Sequence, residues 1–179
     1  MAALLREILE VCLLRRGPQD LPFSPPAVMG FTVALVGLQL VFAAMNDAGP
    51  MAMLARALVT LLILFGATRA LLRLRDMENR AMQTLLALAG STLLFSLVMM
   101  PLALAWRPYQ DQEDPPAAAM VFALAAVFTL FWKLRVEAAI WRQSLDIPVS
   151  AAYLLTLALL LGEALLLFAL LPAPVPAAP

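Results

Sequence analysis

Several stretches of this chain are apolar for long enough to cross a bilayer, and that limits the fold more than any motif it contains. A helix needs about 20 apolar residues to cover about 30 Å of hydrocarbon. Inside hydrocarbon only helices and closed barrels satisfy every backbone N–H and C=O. Of the 179 residues, 64% are hydrophobic and 13% charged, whereas a soluble domain carries roughly 45–50% and about 25%. The expected fold class is all-α: a polytopic membrane helical bundle of about five transmembrane helices with an N-terminal amphipathic interfacial helix.

Residues 2–16 place Leu4, Leu5, Ile8, Leu9 and Cys12 at helical spacing with Arg6, Glu7 and Glu10 opposite, the pattern of a helix lying at an interface; its paired charges give little attraction to anionic lipid, so packing against the protein's own helices is expected equally with lipid binding. Glu7 and Glu10 interrupt the apolar region and no small-residue cleavage site follows, so it is a poor signal peptide. Gly17-Pro18 ends it. Residues 1–24 are thus a cytoplasmic helix and connector, 25–172 the five-span bundle, and 173–179 a Pro/Ala-rich tail. The spans are expected at about 26–45, 51–70, 82–106, 117–132 and 149–171. The second continues as a basic helix through Arg73 and Arg75, and the fourth as an amphipathic one through Lys133, Arg135, Glu137 and Arg142.

Loop charge sets an expected orientation. Arg69, Arg73, Arg75, Arg80, Lys133, Arg135 and Arg142 fall, with the N-terminal arginines, on one side of the spans. The positive-inside rule makes that side cytoplasmic and the C-terminus external. The seven residues would form a basic rim that attracts anionic headgroups or a cytoplasmic partner, or simply a solvated topology signal. An Ala/Leu/Arg/Pro-rich bias points to a bacterial inner membrane, N-terminus cytoplasmic and C-terminus periplasmic.

What the chain lacks excludes much chemistry. It has no histidine and one cysteine, Cys12, so the commonest general base and an internal disulfide are both missing. There is no phosphate-binding glycine loop, no H-E-x-x-H and no G-x-S-x-G. The expectation is a non-enzymatic protein with no cofactor and no metal. Met45, Met51, Met53, Met99, Met100 and Met120 gather toward one side; thioethers suit Cu(I), but without histidine or a second cysteine they read as gap-filling side chains. Net charge is zero and no basic run occurs, which argues against nucleic acid. Ala87 with Ser91, and Ala119 with Ala123, permit close helix approach.

One carboxylate, Glu163, sits inside an apolar span, in LLLGEALLLF. Counting from the predicted span ends, it lies about 12 Å below the outer surface and Arg56 about 8 Å below it. Gln39 falls at a similar level, and Thr156 marks the face of the last span turned inward. Facing lipid, a charge costs about 2.5–3.5 kcal/mol at a helix centre. Glu163, Arg56, Gln39 and Thr156 therefore form an expected intramembrane polar cluster, with Glu163 paired to Arg56. A fixed architectural ion pair, a working carboxylate and a protonated, hydrogen-bonded acid all stay open.

The layout resembles the bacterial branch of the Yip family of small multi-pass membrane proteins. The resemblance rests on the cytoplasmic N-terminal stretch, the five close spans, the segment NRAMQTLLALAG (79–90) with Pro101 later in the same span, and WKLRVE (132–137) before the last helix. It implies a non-enzymatic adaptor, assembly or membrane-organising component, with the lipid bilayer and a protein partner or second copy as partners. The alternative is a small transporter or channel-type subunit using Glu163. A water-accessible cavity reaching Glu163 favours transport; a dry bundle with Glu163 against Arg56 favours architecture.

Overall fold

The computed structural model describes residues 2–46, 48–110 and 112–171, so the predicted tail at 173–179 lies outside the described residues. All regular structure among them is helical: α1 (Ala2–Cys12), α2 (Pro25–Met45), α3 (Pro50–Leu61), α4 (Thr68–Leu74), α5 (Ala81–Trp106), α6 (Ala117–Leu145) and α7 (Val149–Leu170). A π-helical segment, Leu62–Ala67, joins α3 to α4 into one rod. Five helices are long and apolar enough to cross a membrane, Pro50–Leu74 counting as one. Counted with their predicted continuations through Arg75 and Arg142, the second and fourth helices agree with these bounds to within a few residues, as do the other three spans, because the prolines and polar turns that end them act locally.

The five long helices close into a ring. In cyclic order, α2 packs on α3, α3 on α7, α7 on α6, α6 on α5, and α5 back on α2. The best-buried member is α5, whose residues Thr84 to Ser91 are all buried. By contrast α6 and α7 bury almost none of their apolar windows within the chain. Phe128, Phe131, Leu154, Leu161, Leu165 and Phe168 each stay more than 60% exposed, as side chains facing lipid would.

The N-terminal helix departs from expectation. It ends at Cys12, four residues short of Arg16, because Leu14 turns left-handed at φ 58°. Arg16 then folds back onto Glu10 at 2.6 Å and Glu7 at 3.4 Å. Of its two expected surroundings, α1 meets the protein's own helices. Ile8, Val11 and Cys12 are buried against the bundle, while Leu5 and Leu9 remain exposed. Gly90 of α5 receives Ile8: a Cβ there would sit 2.6 Å from Ile8 Cδ1 and 2.9 Å from Cγ2. Only a glycine lets the two helices approach this closely. Trp132 Nε1 donates to the Cys12 carbonyl at 2.9 Å and locks the helix end to α6.

Two polar ties hold the same end of the ring. Thr84 Oγ1 lies 2.8 Å from Ser144 Oγ and 2.9 Å from the Arg80 carbonyl oxygen. Its single proton can serve the carbonyl while Ser144 donates to it. The Arg80 guanidinium donates to the carbonyls of Gln143 and Ser144, at 3.2 and 3.4 Å, satisfying acceptors that the end of α6 leaves open. Arg80 is therefore a structural cap more than a member of an open rim.

Candidate functional site: a polar cavity inside the helix ring

Glu163 faces a cavity of about 90 Å³ to which every long rod contributes. Leu35 and Gln39 come from α2, Thr60 from α3, Ile63 and Leu64 from the π segment, and Leu88 and Thr92 from α5. Lys133, Glu137 and Trp141 come from α6, and Thr156, Leu159, Leu160 and Glu163 from α7. The space accommodates a few waters or one small hydrated cation, at about 10–15 Å³ of such volume per water.

Lys133 Nζ donates to Glu137 Oε1 at 2.5 Å, with side chains 21% and 15% exposed. They are one helical turn apart, but Lys preceding Glu is the less favourable order in an isolated helix. Across the cavity Lys133 attracts Glu163 and Glu137 repels it through space. With all three charged, the cavity carries one net negative charge. Across it Thr60 Oγ1 donates to Gln39 Oε1 at 3.2 Å, and Thr156 Oγ1 to its own helix at Ala152 O, 2.9 Å.

The π segment lies along this wall. Such segments are short register shifts and are frequent at functional sites. Immediately after it, the Thr68 hydroxyl is buried without a hydrogen-bond partner, as is Thr32 on α2. Buried polar groups are normally satisfied, but neither hydroxyl is among the cavity's lining residues.

The predicted cluster is brought together only in part. Glu163, Gln39 and Thr156 line one cavity, but Arg56 is exposed and makes no ion pair with Glu163. Ala55 and Val59 are the buried face of α3, and Arg56, about 100° around from Ala55, points away. Depth alone gave the level and not the azimuth. Lys133, expected on the rim, is the cation that shares the cavity with Glu163. That placement is recoverable by counting from the tight turn between α6 and α7. Lys133 lies 12 residues before Leu145 and Glu163 14 after Val149, about 18 and 21 Å along antiparallel neighbours.

The other rim residues divide. Arg69 and Arg75 are exposed, Arg73 pairs with Glu78 at 3.4 Å, and Arg135 lies over the Trp132 ring at 5.6 Å. Arg142 is exposed beside Arg135 in a cleft separate from the Glu163 cavity. Among the methionines, Met99 and Met100 line an apolar groove with Phe42, and Met51 and Met120 are exposed. No group of three or more His, Cys, Asp or Glu among the described residues is placed to hold a metal ion.

Fold and site define a class: among the described residues, an all-helical structure with five helices of membrane-crossing length, all of which line one charged cavity. No protein-family model matches the chain, nor does any curated protein or solved structure.

Proposed function

We propose that the protein is a small multi-pass membrane protein that binds a proton or small monovalent cation at Glu163, as a transporter or channel-type subunit. One observation carries this: all five rods contribute to one polar cavity holding Glu163, Glu137 and Lys133. Ionisable groups within membrane-crossing segments are costly and mark ion or proton pathways. A lone pair for helix register would need no surrounding space. Two carboxylates against one ammonium leave a deficit of positive charge that a proton or cation fills. The cavity is too small for an organic substrate of ordinary size, for which pockets run to about 300–1,000 Å³. In the same proposal the bundle lies in a bacterial inner membrane with α1 on the cytoplasmic side, as loop charge and the Yip-like layout suggest.

The test is flux. Purified protein in liposomes with an entrapped pH indicator should dissipate an imposed proton or K⁺ gradient faster than empty liposomes. Glu163→Gln should remove at least 90% of the excess rate, and Arg56→Gln should leave it unchanged. Wild-type vesicles no leakier than empty ones would end the transport reading.

A second reading, an adaptor or assembly component, is favoured by the largely unburied apolar windows of α6 and α7. These faces fit a partner helix or a second copy as well as lipid. Crosslinking from Leu161→Cys and Phe128→Cys should then trap a discrete partner in membranes.

A further inference from the structure

At the α1 end, on the outside of the ring, α6 and α7 border a cleft of about 280 Å³ that includes Leu14, Arg135, Ala138, Arg142, Gln143 and Tyr153. We propose that it is a binding site for the headgroup of an anionic phospholipid, with the phosphodiester held between Arg135 and Arg142. The site is independent of Glu163 and rests only on the bundle lying in a membrane.

Four observations support it. Arg135 and Arg142 are seven residues apart on α6, about two turns and 10.5 Å, so they share one face. Their flexible side chains can converge on one phosphate, whose geometry suits the guanidinium fork. Among the described residues neither guanidinium has a hydrogen bond or ion pair, and Arg135 meets only the Trp132 ring, at 5.6 Å. No acidic side chain lines the cleft, while Gln143 and Tyr153 add polar groups able to bind phosphate or glycerol oxygens.

The last observation distinguishes a lipid from a soluble anion. Val149, 50% exposed, lines the cleft, and the face of α6 that carries Arg135 and Arg142 continues away from Leu145 as exposed apolar side chains, Phe131 at 66% and Phe128 at 69%, four and seven residues before Arg135. An acyl chain can lie along that strip while its headgroup stays with the arginines. A free phosphate gains nothing from it.

Native mass spectrometry of the full chain in detergent, titrated with phosphatidylglycerol or phosphatidylcholine of matched acyl chains, tests the site. The wild type should retain one phosphatidylglycerol with at least tenfold preference over phosphatidylcholine. Equal retention of the two would overturn the proposal, and this arm needs no substitution. R135Q/R142Q should weaken phosphatidylglycerol binding about thirty-fold, at about fivefold per arginine near a membrane surface. R69Q/R75Q, on arginines outside the cleft, should leave it within twofold. Undiminished retention by R135Q/R142Q, or an equal loss in R69Q/R75Q, would refute a localised site. Millimolar inorganic phosphate should not displace the lipid; displacement would assign the cleft to soluble anions instead.

Discussion

The collar at the α1 end and the cavity at Glu163 are both built on α5 and α6, and they are filled in opposite ways. In the collar, Thr84 to Ser91 of α5 are buried without a break, Ile8 occupies the space over Gly90, and Thr84 is paired with Ser144. Leu88 within that run, Thr92 just past it, and Lys133 and Glu137 of α6 border open, charged space. The difference is what faces them. The collar has a short helix whose buried side chains match a glycine gap. The cavity faces a π segment and a glutamate-bearing helix, which do not close on it. The lesson is that small residues on α5 permit tight packing only where a complementary partner arrives.

The largest expected effect would break the collar. Ile8→Ala empties the space over Gly90, and a buried Ile→Ala change costs about 2–5 kcal/mol. Detergent thermal unfolding should register it, and a limited protease should then cut before residue 17. Gly90→Val should also release α1, while Ile8→Ala combined with Gly90→Val should be less damaging than the sum. Strict additivity would mean that the two do not meet.

The next effect sharpens the cavity side. Lys133→Met leaves Glu137 and Glu163 facing each other without their cation. The loss should be about 1.5–3 kcal/mol, the range for a charge-assisted hydrogen bond, and Glu137→Gln added to it should restore part. Glu163→Gln alone should unfold the protein little while stopping flux, which separates a working group from a structural one.

A pH effect belongs to the collar. Burial pushes the Cys12 thiol up from 9.0 to about 11, since an apolar site disfavours thiolate. The folded thiol holds its proton more tightly than the unfolded one. This contribution is present below pH 9 and is lost as pH rises toward 11, at most about 2–3 kcal/mol. Iodoacetamide at pH 8 should label Cys12 far more slowly in wild type than in Ile8→Ala. The smallest effect is expected at Arg56. Its exposed side chain has no tie to Glu163, so Arg56→Gln should change stability by no more than about 0.5 kcal/mol.

Element boundaries were readable because their causes are local. Ser24-Pro25-Pro26, Gly49-Pro50 and Asp146-Ile147-Pro148 each interrupt a helix wherever the chain goes next. The fourth and fifth spans also carried a hidden register. Counting back from their shared turn matches Lys133 to Glu163, but hydropathy alone ends the apolar window at Trp132 and sends Lys133 to the rim. The seat for Ile8 had a weaker signal. Gly90 stands among Ala87, Ala89 and Ser91, a small-residue surface that says something approaches without saying what.

By itself, the sequence determined that this chain is helical, where its helices begin and end, which side bears the positive charge, and that Glu163 requires company. Those follow from hydrophobic length, proline and glycine placement, and the cost of an isolated charge in an apolar medium. Only the tertiary structure decided which company. Azimuth around a helix axis and the order of helices in a ring depend on packing between residues far apart in the chain. Packing turned Arg56 outward, brought Lys133 in, set α1 against Gly90, and left a polar chamber where all five rods meet.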